Sequence, residues 1–249
     1  MWNRTMILPD TQALAEASAD WLAEWLRQKP DALLCIAAGH TQREMLAIIS
    51  ALAMSGKLDF SRVHVVGLDE WVGLGPEDEG SRQHMLSTEF LQPVGLRPDQ
   101  VTLFNAKADD LDAECERMDS FLDLEGPIDL LVLGVGLNGH VGFNEPGAQL
   151  HQRSHYLELD PVSTVIGQKY FQKPRELKHG ITLGLHDLTQ ARKILIQVTG
   201  EAKAMVVRSS MAQPHQPGFP VSHFWPLQAT SLFMDRAAAS LLPNPPMII

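Results

Sequence analysis

The sequence predicts an α/β fold in which a doubly wound, mostly parallel sheet carries helices on both faces, as in Rossmann-like proteins. Short, continuous apolar runs alternate along the chain with longer segments whose apolar residues recur at helical spacing. Continuous runs are typical of strands buried on both faces, and strand–helix alternation is typical of parallel sheets. The chain has 249 residues and neither an internal repeat nor a linker, so we expect a single domain over residues 1–249.

The predicted elements follow one another in a regular order. Asp10, a residue type that caps helices, precedes the first helical pattern, and Pro30 ends it. The predicted helices cover residues 10–28, 42–54, 81–92 and 109–122, with short helices after residue 184 and from residue 201. The predicted strands cover residues 32–38, 63–68, 128–133 and 193–199, with an edge strand over residues 230–234.

Polar and glycine-rich clusters stand near the ends of these predicted strands. They occupy residues 39–41, 69–70, 138–140, 144–145 and 200–203. In doubly wound sheets, ligands bind beyond the carboxyl ends of the strands. We therefore expect these clusters to meet at one edge of the sheet and to form a functional site there.

Composition and charge narrow the range of partners. The formal net charge is −10, which disfavours binding to nucleic acid because an acidic surface gains nothing from counterion release. A few local cations and helix N-termini can still bind an anionic small molecule. The sequence shows neither a signal-peptide pattern nor an apolar run of about 18 residues. We expect a cytoplasmic protein with no nucleic-acid partner and no membrane segment.

The segment 134–147, GVGLNGHVGFNEPG, is the most informative part of the chain. Its five glycines indicate sharp turns and close approach of the backbone to another group. His140 can transfer protons near neutral pH, and Asn138 and Glu145 are near enough in sequence to hydrogen-bond it. The run also fits G-x-G-x-x-G, but no helix is predicted to follow, which disfavours a dinucleotide site. A structural turn with a surface histidine is the simpler alternative to a catalytic loop.

Other candidates lie at the remaining strand ends. Asp69 directly follows a predicted strand and is a candidate proton-transfer group, with a solvated loop acid as the alternative. Gly39, His40 and Thr41 form a turn that can hold an anion with backbone N–H groups. Lys203 opens a predicted helix, where its charge opposes the helix dipole unless an anion is bound; a solvated lysine is the alternative.

A basic segment and the remaining histidines complete the candidates. The basic segment, which begins at Lys169 and runs to residue 179, is interpreted either as a flap that faces a phosphate or as an exposed helix. The histidines and the two cysteines show no convincing metal-ligand spacing, and we predict no metal site. No Gly-x-Ser-x-Gly motif is present, so serine hydrolase chemistry is unsupported.

Three segments together resemble the glucosamine-6-phosphate deaminase/isomerase family: residues 68–74 (LDEWVGL), residues 133–147 and residues 180–184 (GITLG). The similarity runs over roughly residues 30–234. Within the family, the chain looks most similar to the galactosamine-6-phosphate deaminase/isomerase branch. This similarity rests on residues 29–32, 69–72, 180–185 and 198–201.

The resemblance implies a reaction without a cofactor. The ring of an amino-sugar 6-phosphate opens, a proton moves from C2 to C1, and ammonia is released to give a ketose 6-phosphate. By resemblance, Asp69 takes the C2 proton, and His140 serves ring opening with Glu145 and Asn138 assisting. The phosphate-binding residues that the resemblance implies are Gly39, His40, Thr41, Lys203 and Lys169, the last reaching in from a flap around residues 150–180. Family members range from monomers to hexamers, which leaves a homo-oligomer open.

The chain departs from the commonest family pattern at three places. Residue 138 is Asn where many members have Asp, and residue 169 is Lys where Arg is common. The turn over residues 38–42 reads Ala-Gly-His-Thr-Gln, whereas many relatives have Thr-Gly-x-Thr-Pro.

Two alternative functions fit the sequence less well. A 6-phosphogluconolactonase-like hydrolase would share the fold but would need no C2 proton abstraction, and the retained FNEP at residues 143–146 argues against it. A non-catalytic sugar-phosphate sensor would be expected to carry a basic DNA-binding helix. The absence of such a helix from the sequence and the acidic net charge argue against that function.

Overall fold

A computed structural model of the chain describes residues 5–243, and its main element is a parallel sheet. The strands are β1 (Thr5–Leu8), β2 (Leu33–Ile36), β3 (His64–Val66), β4 (Asp69–Trp71), β5 (Val101–Thr102), β6 (Leu130–Gly134), β7 (His155–Glu158), β8 (His179–Thr182), β9 (Lys193–Val198) and β10 (Thr230–Asp235). Among the described residues, seven strands form the main sheet in the order β1-β10-β9-β6-β2-β3-β5. Each neighbouring pair in it is parallel.

A second, smaller sheet lies beside the main one. It has the order β4-β8-β7 and is antiparallel, with Asp69 of β4 opposite Thr182 of β8. This small sheet brings the segment that follows residue 150 back across the chain near residue 70. It therefore connects the predicted flap with the strand that carries Asp69.

Helices cover both faces of the main sheet. They are α1 (Thr11–Gln28), α2 (His40–Met54), α3 (Arg82–Leu86), α4 (Leu111–Glu125), α5 (Pro161–Gly167), α6 (Leu185–Thr189) and α7 (Ala204–Met211). The buried faces of α1 and α2 share one core with Leu34 and Val132. On the opposite face, α4, α6 and α7 pack against Cys35 and Leu133. The doubly wound α/β fold predicted from the alternation of patterns is confirmed.

The order of the strands places a topological switch point at the centre of the sheet. From β2 the chain moves outward to β3 and β5, and then returns to β6 on the other side of β2. The loops that leave β2 and β6 therefore diverge, and a crevice opens between them at the carboxyl ends of these strands. The glycine-rich segments that begin at Gly39 and Gly134 are these two loops.

Several predicted elements differ from the observed ones. The strand predicted at the sheet edge over residues 230–234 is instead internal, between β1 and β9, because β1 pairs with it as the outermost strand. Asp69 and Glu70, which were expected directly after the strand predicted over residues 63–68, belong to a separate strand, β4. The predicted helix over residues 81–92 is α3 followed by a π-helical turn over Ser87–Leu91. None of the helices within residues 5–243 combines the length and apolar character needed to cross a membrane.

Candidate active site

The crevice at the switch point is a pocket that is lined on three sides. One wall is the turn after β2 that leads into α2, and a second is the loop after β6. Residues of α5 and of the turn that follows it close the third side, so the predicted flap segment does contribute to the pocket. Seven residues singled out from the sequence line it: Gly39, His40, Thr41, Asp69, His140, Lys169 and Lys203.

The loop after β6, residues 135–147, is held in place by glycines and by backbone hydrogen bonds. Its backbone folds back so that the Gly136 N–H donates to the carbonyl oxygen of His140 at 2.9 Å. A Cβ atom on Gly136 would lie 2.4 Å from an atom of the His140 ring, so only glycine lets the imidazole lie flat on this backbone. Gly139 has a positive φ of 84°, which glycine adopts without strain. The loop is thus shaped to present His140.

The imidazole of His140 is oriented by a small hydrogen-bond network. Its Nδ1 lies 3.3 Å from Oε2 of Glu145 and 3.0 Å from Oγ of Ser163. The side-chain amide of Asn138 donates to the same Glu145 oxygen at 2.9 Å. The side-chain oxygen of Asn138 accepts the backbone N–H of His140 at 3.3 Å. Because Nδ1 is engaged in this network, Nε2 is the nitrogen left to act on a ligand.

Asn138 and Glu145 lie behind His140 rather than on the pocket wall. Burial raises the pKa of the Glu145 carboxyl, but hydrogen bonds from His140, Ser163 and Asn138 outweigh it and bring the pKa below its ordinary value. Glu145 therefore favours its ionised form, and its carboxylate is the charged partner that lies against Nδ1 of His140. The Asn138 amide suits this arrangement, since a carboxylate in its place would repel Glu145.

Asp69 faces the pocket from β4 and is only 8% exposed. Burial raises the pKa of its carboxyl, and the charges of Arg82 and His140 oppose that rise. The Nε of Arg82 lies 3.7 Å from Oδ2 of Asp69. A buried carboxylate with a raised pKa and an open side toward a pocket is suited to accept a proton from a bound molecule.

One end of the pocket is cationic. Lys203 follows β9 in the short turn Glu201–Lys203, and its Nζ donates to the carbonyl oxygen of Val135. Burial lowers the pKa of Lys203 to about 8, and the charge of Lys169 adds to this effect. Two cations that repel each other in a pocket of an acidic protein indicate a binding site for an anion.

The turn after β2 supplies the other side of this cationic end. Gly39 is the N-cap of α2, and His40 and Thr41 form its first turn, so their N–H groups stand at a helix N-terminus. The ring of His40 packs on that of Tyr170, with centroids 4.7 Å apart. Burial and the nearby cations, first among them Lys169, lower the pKa of His40. His40 is thus neutral near pH 7 and contributes packing rather than charge.

The sequence of this chain is similar to the sequences of known sugar-phosphate enzymes. The sequence profile of the family described as glucosamine-6-phosphate isomerases/6-phosphogluconolactonase matches residues 9–233. The chain belongs to this family. Among its relatives in the deaminase/isomerase family, the glucosamine-6-phosphate deaminase of Bacillus velezensis is 34% identical over 229 residues. The match covers 92% of this chain and 95% of that protein.

Solved structures of relatives agree with the observed fold. A structure of a monomeric glucosamine-6-phosphate deaminase superposes with a TM-score of 0.92 at 31% identity, and the match covers 96% of this chain and 99% of that chain. A 6-phosphogluconolactonase from Trypanosoma brucei gives a TM-score of 0.77 at 17% identity, over 96% of this chain and 98% of that chain. At that identity the second likeness concerns the fold alone.

Three pocket residues of this deaminase/isomerase family member were not predicted from the sequence. Ser163 and Tyr170 come from the flap segment, and Arg82 is the first residue of α3. No motif marks them, since each reaches the pocket from an element whose position depends on the small sheet. Ser81, a capping residue type that precedes Arg82, was a local signal for the start of α3 but not for the direction of the arginine side chain.

Gln42 was also missed as a functional candidate. Its side chain is 2% exposed and lies on the pocket wall beneath Gly39 and Gly134. Within the described part of the chain, its Nε2 has no hydrogen-bond partner. The departure from the commoner proline at this position therefore adds a buried amide donor to the anion end of the pocket.

The structure also bears on metal and dinucleotide binding. Among residues 5–243, no three His, Cys, Asp or Glu side chains are grouped closely enough to hold a metal ion. The described residues between β6 and β7 form turns rather than a helix, so the G-x-G-x-x-G match does not open the helix that a dinucleotide site needs.

Proposed function

We propose that this chain is a hexosamine-6-phosphate deaminase/isomerase that converts glucosamine 6-phosphate or galactosamine 6-phosphate to a ketohexose 6-phosphate and ammonia. One observation carries the proposal. A buried carboxylate, Asp69, and an oriented imidazole, His140, face a single pocket that Lys203 and Lys169 also line. Ring opening and C2-to-C1 proton transfer need this combination of groups.

The phosphate would bind at the cationic end. Lys203, Lys169 and the first-turn N–H groups of α2 supply positive charge and donors there. Binding a part of the substrate that does not react fixes the position of the sugar and lets the remaining groups act at defined atoms. Lys203 gives up its contact with the Val135 carbonyl, or shares it, when the anion is bound.

The imidazole would act at the ring oxygen. With Nδ1 held by Glu145 and Ser163, Nε2 of His140 donates a proton to the ring oxygen as the C1–O bond breaks. The ionised Glu145 stabilises the protonated imidazole before this step, and Asn138 keeps the carboxylate in place.

The carboxylate of Asp69 would move the proton between carbons. In the open-chain substrate it takes the proton from C2, which gives an enolamine, and returns it at C1, which leaves an imine at C2. Water then adds to C2 and ammonia leaves, so that the carbonyl of the ketose forms there. Burial favours this role because it raises the pKa of the carboxyl and so makes the ionised form a stronger base.

We also propose that residues 150–180 act as a flap within one domain over residues 1–249. The segment contributes Ser163, Lys169 and Tyr170 to the pocket, so opening it would expose the site. A flap that closes over the substrate shields the enolamine intermediate from bulk solvent, and water reaches C2 only for the later release of ammonia.

A substrate panel tests the proposal. Purified protein is incubated with glucosamine 6-phosphate, galactosamine 6-phosphate, their N-acetyl forms and 6-phosphogluconolactone, and both ammonia and ketose 6-phosphate are measured. Equal release of ammonia and ketose from either free amine supports the proposal, and the ratio of kcat/KM values assigns the C4 epimer. Lactone hydrolysis without ammonia identifies a hydrolase instead, and binding without turnover identifies a sensor.

A further inference from the structure

Arg82 occupies an unusual position for an arginine. Its side chain is 13% exposed, and its guanidinium carbon lies 4.3 Å from the ring centroid of Trp71 and 4.4 Å from that of Tyr170. One guanidinium nitrogen donates to the carbonyl oxygen of Ala38 at 2.8 Å. The two rings and this hydrogen bond fix the plane of the guanidinium beside Asp69.

The backbone under Arg82 is fixed as well. Glu70, which is fully buried, accepts the N–H groups of Trp71, Arg82 and Gln83 at 2.8, 3.2 and 2.8 Å. These bonds tie the start of α3 to β4, the strand that carries Asp69. The backbone positions from which the two charged side chains extend are therefore fixed relative to each other.

The contact between the charges has a distinctive geometry. At 3.7 Å, the Nε of Arg82 is too far from Oδ2 of Asp69 for a hydrogen bond, and within residues 5–243 this Nε has no other acceptor. A charge at this distance stabilises the carboxylate electrostatically in a buried site. It does so without occupying the oxygen lone pairs that must accept a proton from the substrate.

We infer that Arg82 is a positioning residue for catalysis, which keeps the buried Asp69 ionised while leaving its oxygens free to take the C2 proton. This inference rests on the proposed deaminase/isomerase function. It gives Arg82 a role distinct from the phosphate binding that is proposed for Lys203 and Lys169.

The pH dependence of activity is the property that this role controls. The titratable or charged groups that face Asp69 are Arg82, His140, Glu70, Tyr170 and Cys35. Arg82 is permanently charged near neutral pH and favours the ionised form of Asp69, whereas burial favours the neutral form. Removing the guanidinium therefore raises the pKa of Asp69 and moves the acid limb of kcat/KM to higher pH.

The test compares pH profiles of kcat/KM for the hexosamine 6-phosphate that the wild-type protein turns over. For Arg82→Gln we expect the acid limb to move up by about 1 pH unit or more, the lower range for an opposite charge near a carboxylate. Activity then falls at least about tenfold below the limb and recovers at high pH. Arg82→Lys, which keeps the charge but loses the planar stacking, should move the limb by less than the neutral variants do.

Two further variants complete the test, one as a second neutral substitution and one as a control. Arg82→Met keeps an apolar stem between Trp71 and Tyr170 and is the second neutral variant if Arg82→Gln does not fold. Arg43→Gln is the matched control, because Arg43 is a half-exposed arginine of α2 that pairs with Glu89 rather than with Asp69. Its acid limb should stay where it is in the wild-type protein.

The outcomes separate this inference from the proposed function. A limb that stays in place in a folded neutral variant, a rise in KM alone, or a lysine variant shifted as far as the neutral ones would each overturn the role of Arg82. Loss of thermal stability with an unchanged profile would show that Arg82 is merely structural. If the wild-type protein releases no ammonia from any hexosamine 6-phosphate, the proposed function itself fails.

Discussion

Gly136 offers the sharpest test of how the loop after β6 positions its histidine. An alanine Cβ there would lie 2.4 to 2.5 Å from three ring atoms of His140. Ordinary carbon contacts are about 3.5 Å, so the imidazole must move by roughly 1 Å in Gly136→Ala. That displacement breaks the contacts of Nδ1 with Ser163 at 3.0 Å and with Glu145 at 3.3 Å. A misplacement of this size lowers rates by about 100-fold.

The assay is steady-state release of ketose 6-phosphate, with folding checked by circular dichroism and thermal denaturation. Gly218→Ala is the matched control, because Gly218 lies in the segment that covers the same loop and a Cβ there meets no atom within 4 Å. The control should retain the wild-type kcat. If folded Gly136→Ala also turns over within about twofold of the wild-type rate, the orientation of His140 by the loop is not what catalysis requires.

Three other substitutions probe the remaining groups of the pocket. Asp69→Asn should abolish turnover while sparing substrate binding measured by calorimetry, since the amide cannot accept the C2 proton; turnover at the wild-type rate would contradict its role as the base. His140→Gln should lose more activity with the ring-closed sugar than with a ring-opened analogue, and equal losses would argue against ring opening by this residue. Lys203→Ala should weaken binding by about 1.5–3 kcal/mol, a rise in KM of roughly 10- to 150-fold. Because the pKa of Lys203 is lowered to about 8, its charge is present below that pH and lost above it. The wild-type KM should therefore rise as the pH is raised through 8, and a KM independent of pH would contradict phosphate binding at Lys203.

The fold was predictable because its signals are local and repeated. Buried strands of a parallel sheet must be apolar on both faces, and the runs at β2, β6 and β9 show this directly in the sequence. The Asp10 cap was equally local, and its side chain does accept the N–H of Ala13 at 2.9 Å. Strand β1 was not predicted because it has only four residues and is partly exposed, so its sequence pattern carries little information.

The site was predictable only in part. Residues that follow the strands of the main sheet, such as Gly39, His140 and Lys203, could be placed near one another because parallel strands end at a common edge. Arg82, Ser163 and Tyr170 reach the same pocket from α3 and the flap segment, and sequence gives no rule for where such elements pack. Gln42 follows the turn over residues 39–41 in sequence, but only its burial beneath two glycines reveals a donor without a partner among the described residues.

The sequence by itself therefore determined the class of fold, the edge of the sheet that carries the site, and the proton-transfer groups Asp69 and His140 as candidates. These follow from periodicity and from residue chemistry, which are properties of short segments. Tertiary structure decided how the groups are tuned: the burial of Asp69, the guanidinium of Arg82 held 3.7 Å from it, and the choice of Nδ1 as the anchored nitrogen of His140. Burial and electrostatic distance depend on contacts between residues far apart in the chain, and for that reason no local pattern records them.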